Sequence, residues 1–127
     1  MYIGYVRVNV LVGDISKKKV KEVTFLVDTG AFFPVIPLNL AKEFSIESLT
    51  ETELLLVDGR KITVDISLAY FKVLDRDREG IFQVVLMDSP EPLLGVIVLE
   101  GLGVRVDPTT GRLEYSRPYG LASLSMS

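Results

Sequence analysis

The chain has 127 residues, 48% of them hydrophobic, and a formal net charge of -3; that is enough apolar material for one modest core and too little length for two ordinary domains. With neither cysteine nor histidine, it can build no disulfide framework, no Ser-His or Cys-His nucleophile and none of the usual zinc sites, so carboxylates, hydroxyls and amines are left to do any chemistry. The charge gives no general attraction to nucleic acid or to anionic membranes.

The opening stretch "YIGYVRVNVLVG" (2–13) is rich in branched residues and alternates around Tyr5, Arg7 and Asn9, which predicts a strand. It lacks the basic start and continuous apolar block of a signal peptide, and no later apolar run reaches membrane-spanning length. A soluble cytoplasmic protein is therefore expected. "VKEVTFLVD" (20–28) predicts a second strand, joined to the first through a polar turn whose Lys17, Lys18 and Lys19, with Lys21 beyond them, form a solvated basic cluster. In "PLNLAKEF" (37–44) the interval of Leu38, Ala41 and Phe44 predicts a short helix with Pro37 at its first position.

"ELLLVDGRKITVDI" (53–66) reads as strand, tight turn and strand, with Asp58-Gly59 the strongest hairpin signal present. A further hairpin is expected from "ISLAYFKVL" (66–74) to "GIFQVVLMD" (80–88) through a charged, solvated tip. "SPEP" (89–92) breaks the sheet. A buried apolar segment follows, with a short helix ending near Gly101 or Gly103, then a strand, a "DPTTG" turn and a last strand. Seven or so strands and two brief helices predict an all-β, barrel-like or sandwich domain over 1–118, with a loose tail over 119–127.

One acidic residue stands out. In "TFLVDTGAFFPVIP" Asp28 sits between an apolar run and a glycine. Taken alone, Asp-Thr-Gly is a common turn whose carboxylate accepts backbone N–H bonds. Late in the chain, Leu93-Leu94-Gly95 supplies an apolar pair before a glycine, and the Asp58-Gly59 hairpin lies between the two motifs. In this order and spacing, from about Val6 to Tyr115, the chain resembles the retropepsin-like aspartic proteases, single-domain relatives of pepsin that include the retroviral enzymes.

That resemblance implies a closed β-barrel of the acid-protease fold with one or two short helices. It implies Asp28 as the catalytic residue, with Thr29, Gly30, Ala31, Leu94 and Gly95 as active-site support. Val57, Asp58, Gly59, Arg60 and Ile62 would form a flap over the substrate, with Val57, Ile62 and Leu94 contributing apolar pocket walls. No metal or cofactor is implied. Such enzymes need two carboxylates about 3 Å apart that share one proton, one acting as base toward water and the other donating to the scissile carbonyl. This sequence holds one Asp-Thr-Gly, so a homodimer with Asp28 from each subunit on the twofold axis is implied, acting on a peptide or protein.

Two positions depart from the retroviral pattern. An acidic residue usually follows the alanine, paired with an arginine after the late glycine, and here those places hold Phe32 and Val96. Both halves of the polar pair are missing together, which leaves no unpaired charge and shifts the dimer contact to apolar groups. Phe32 and Phe33 are read as core or dimer packing rather than substrate contacts. The rival reading is a non-catalytic homodimeric peptide-binding or assembly module with the same fold.

Overall fold

The computed structural model describes residues 6–74 and 77–116. The expected tail over 119–127 and part of the charged tip lie outside the described residues. In chain order come β1 (Arg7–Gly13), β2 (Val20–Val27), β3 (Val35–Pro37), α1 (Leu38–Glu43), β4 (Thr50–Leu55), β5 (Lys61–Val73), β6 (Glu79–Met87), β7 (Leu93–Leu94), α2 (Val96–Leu102), β8 (Val104–Val106) and β9 (Leu113–Tyr115). The mainly β architecture with two short helices is as expected. It has nine strands among the described residues rather than seven, because β3 and β7 are too short to leave a periodic signal.

Seven strands form one sheet in the order β1-β2-β7-β3-β6-β5-β4. The far part of β5 also pairs with β1, Val10 opposite Val73 and Gly13 opposite Tyr70, so the succession of pairings returns to where it began. β8 and β9 form a separate two-stranded sheet. The strand β5 differs from expectation. What read as the end of one hairpin and the start of another is a single strand of 13 residues. No Pro, Gly or turn dipeptide interrupts Lys61–Val73, and its pairing changes partner along its length, from β4 at Lys61–Ile66 to β1 at Tyr70–Val73, with β6 along the other edge.

The interior follows from strand alternation. Val8, Val10 and Val12 of β1 point inward with Phe25, Ile36, Phe71, Val84 and Leu86, and α2 adds Val98 and Leu102. Phe71 lies between Phe25 and Phe82, with ring centroids 5.8 and 5.9 Å away in tilted and edge-on arrangements. Pro37 ends β3 instead of opening the helix. Its ψ of 148° keeps it extended, and it pairs opposite Met87.

The lysine turn is exposed as expected and also does more. Lys17 reaches Glu79 at 2.9 Å, Lys19 reaches the Ser45 hydroxyl at 2.9 Å, and Lys21 pairs with Glu43. Among the described residues no helix is long and apolar enough to cross a membrane.

Candidate active site

The apolar strand β2 delivers Asp28 to the surface, where it is partly exposed. Its carboxylate Oδ1 accepts the Gly30 N–H at 3.0 Å, and its carbonyl accepts the Ala31 N–H at 3.1 Å. A Cβ at Gly30 would stand 3.3 Å from that same Oδ1, so glycine lets the backbone close tightly on the carboxylate. Thr29 and Gly30 are exposed and Ala31 partly so.

The late motif lies directly beside this loop. β2 and β7 run parallel, with Leu26 opposite Leu93 and Val27 opposite Leu94, and the Asp28 N–H donates to the Leu94 carbonyl at 3.1 Å. Leu94 is 1% exposed. It therefore supports the loop from within the core and is not a pocket wall. Gly95 is also buried: a Cβ there would meet the Phe32 carbonyl oxygen at 2.5 Å and the Phe33 carbonyl carbon at 2.6 Å. Only a residue without a side chain fits beneath the loop.

Sequence reasoning missed how α2 begins. Its N-cap position is Gly95, which has no side chain to accept a helix N–H. The loop supplies the acceptors: Val96 N–H donates to the Ala31 carbonyl at 2.9 Å and Ile97 N–H to the Phe32 carbonyl at 3.0 Å. The signal for this was an apolar helix after a glycine, with no Ser, Thr, Asp or Asn to cap it. Those orphan donors had to find partners elsewhere in the fold.

Phe32 and Phe33 stack edge to face, centroids 4.8 Å apart. Phe33 is half-buried. Phe32 stays 56% exposed in the single chain, so its ring is not core.

The expected flap is the β4–β5 hairpin. Leu56 N–H donates to the Arg60 carbonyl at 2.7 Å and Gly59 N–H to the Leu56 carbonyl at 2.9 Å. Gly59 has φ of 89°, a left-handed conformation that suits glycine. Asp58 Oδ1 accepts the Arg60 N–H at 3.0 Å and Oδ2 accepts its Nε–H at 2.7 Å. The backbone bond first, then the guanidinium bond, hold the Asp58 carboxyl below its ordinary range. Val57 at the tip is fully exposed and Ile62 partly buried. The structure thus brings Asp28–Ala31, Leu94 and Gly95 into one hydrogen-bonded unit, while Val57–Ile62 form a second, separately held one.

A family model described as aspartyl protease matches residues 8–98, taking in both the Asp28 turn and Leu93-Leu94-Gly95. No curated protein sequence matches the chain. Among solved structures, the EIAV protease complexed with the inhibitor HBY-793 is similar, with 20% identity and a TM-score of 0.56 over 82% of this chain and 93% of that one. A foamy viral protease-reverse transcriptase in complex with an RNA/DNA hybrid is similar at 21% identity and a TM-score of 0.54, over 76% of this chain and 12% of that one. At such identities the likeness is one of fold. The family match, which spans well over half of the chain, carries the activity: this protein belongs to the aspartyl protease family, a peptide hydrolase with a retropepsin-like fold.

Proposed function

We propose that two copies of the chain associate about a twofold axis so that their Asp28 carboxylates form the catalytic dyad of an endopeptidase. One carboxylate takes a proton from water as its oxygen attacks the scissile carbonyl carbon; the other donates a proton to the carbonyl oxygen. The tetrahedral intermediate then collapses, the C–N bond breaks, and the amine leaves with a proton. The observation that carries the reading is the seating of Asp28. A lone Asp-Thr-Gly lies at a strand end with its carboxylate fixed by the Gly30 N–H, in a loop fastened to Leu94 and α2. One such carboxylate cannot share a proton with itself, so the second must come from an identical subunit.

Thr29, Gly30, Ala31, Leu94 and Gly95 shape that loop, and the hairpin from Val57 through Asp58, Gly59 and Arg60 to Ile62 serves as the flap over an extended peptide with apolar side chains. With Phe32 and Val96 in place of a charged pair, apolar contact contributes to the subunit interface. A net charge of -3 favours peptide over nucleic acid or anionic membrane as the partner, and a chain that needs no disulfide suits the reducing cytoplasm.

The test is mass-spectrometric detection of cleavage in a diverse peptide pool, from acidic to neutral pH, for wild type and Asp28→Asn, with light scattering on both. Cleavage by wild type alone, with both proteins dimeric, is expected. Hydrolysis retained by a pure Asp28→Asn preparation would sink the dyad.

A further inference from the structure

Arg78 is the one charged side chain among the described residues that is buried, at 9% exposure. It lies just before β6, far along the chain from Asp28. Its guanidinium donates to the Leu102 carbonyl at 2.8 Å and to the Gly103 carbonyl at 3.3 Å, and it stacks over the Tyr115 ring with 4.0 Å between Cζ and the centroid. These carbonyls lie at the C-terminal end of α2, where unsatisfied oxygens and the helix dipole both favour a cation.

The other end of α2 is the end that donates to the Asp28 loop, through Val96 and Ile97 to the carbonyls of Ala31 and Phe32. Between these ends the helix has little room to slide. A Cβ at Gly101 would stand 2.2 Å from Phe82 of β6, and one at Gly95 would strike the loop carbonyls. A seven-residue helix gripped in this way moves as one piece.

We propose that Arg78 is a positioning residue for the hydrolytic reaction: by anchoring the C-terminal end of α2, it sets where the opposite end of the helix holds the Asp28 loop. This rests on the reading of Asp28 as the catalytic carboxylate. Arg78 touches neither substrate nor the attacking water in the mechanism and acts on the loop through the helix. Two carboxylates that must share a proton tolerate little displacement, so a small shift of α2 appears in turnover before it appears in binding.

The variants are Arg78→Met, which removes the donors, and Arg78→Lys, which keeps a charge and one donating group. They are assayed well below their melting temperatures and at concentrations where the oligomeric state equals that of wild type. Arg78→Met is expected to lower kcat at least about tenfold with KM within about twofold, and Arg78→Lys to recover part of the loss. Hydrogen exchange, which needs no substrate, should show the Val96 and Ile97 amides accelerating more than those of β5. A lower melting temperature with unchanged kcat would overturn the proposal, as would exchange rising equally in α2 and β5. Hydrolysis surviving Asp28→Asn would instead strike at the dyad, while the exchange result still decides whether Arg78 holds the loop.

Discussion

Two turns in this molecule share their local chemistry and differ in almost everything else. At Asp28-Thr29-Gly30 and at Asp58-Gly59-Arg60, an aspartate Oδ1 accepts the N–H of the residue two positions on, at 3.0 Å in both. The first turn is fixed from outside itself: β7 takes its amide, α2 takes two of the carbonyls that follow it, and Gly95 packs beneath with no space for a methyl group. The second turn is held by its own bonds, and a Cβ placed at Gly59 would find nothing within 4 Å. An aspartate turn is therefore not a site by virtue of its own geometry. Chemistry needs the carboxylate held still by the rest of the fold, whereas a lid needs the opposite: few tertiary contacts, hence a low free energy of local opening.

Exchanging the two aspartates in turn is the most severe way to break this comparison. Asp28→Asn is expected to reduce peptide cleavage by about 10³-fold or more, while Asp58→Asn, whose amide oxygen can still accept the Arg60 N–H, should stay within about threefold of wild type. Peptide cleavage assayed side by side decides it; equal losses would mean that the two turns are not functionally distinct.

The glycines sharpen the same contrast through stability. Gly95→Ala must displace loop backbone and should lower unfolding free energy by at least about 3 kcal/mol, read from denaturant midpoints. Gly59→Ala meets open space and bears only the strain of positive φ, about 1 kcal/mol. Val57→Ser removes an exposed side chain that packs on nothing in the single chain. It should leave the melting temperature unchanged and raise KM a few-fold if the hairpin closes on apolar substrate.

The smallest effect is a pH dependence confined to the hairpin. Because Arg60 holds the Asp58 carboxyl below its ordinary value, its contribution to the turn is fully present above the ordinary aspartate range and is lost as pH falls through the lowered value. Relative to their intrinsic rates, the Gly59 and Arg60 amides should exchange faster on acidification in wild type, and Asp58→Ala should show no such pH dependence.

Much of the candidate site was legible because its signals are short. Asp28-Thr29-Gly30 after an apolar strand, Asp58-Gly59 between two alternating runs, and a glycine, Gly101 or Gly103, ending an apolar helix are each readable from a few consecutive residues. Gly103 does cap α2, with φ of 65°. Pro37 reads from sequence as a helix start because its ring φ of -57° suits a first helical turn and an extended strand end equally well. β5 reads from sequence as two strands because a pattern of alternation cannot show that one strand changes neighbours halfway along. Leu94 reads from sequence as a pocket wall, because an apolar residue beside the Asp28 loop looks the same whether it faces cleft or core. Arg78 carried no signal at all: in sequence it is one more charge in a polar tip.

The sequence by itself determined the available chemistry, since a chain without cysteine or histidine is left with carboxylates, hydroxyls and amines, and it determined the local turns, because a turn's conformation depends on the few residues within it. It also placed the two motifs and the hairpin in the order that marks the family. Only the tertiary structure decided that β2 and β7 pair in parallel, that the Phe32 and Phe33 carbonyls close over Gly95, and that a buried arginine grips the far end of the helix supporting the Asp28 loop. These contacts join residues far apart in the chain. They arise from shape and from donors and acceptors that must be satisfied on burial, and neither leaves a period or a motif along the chain.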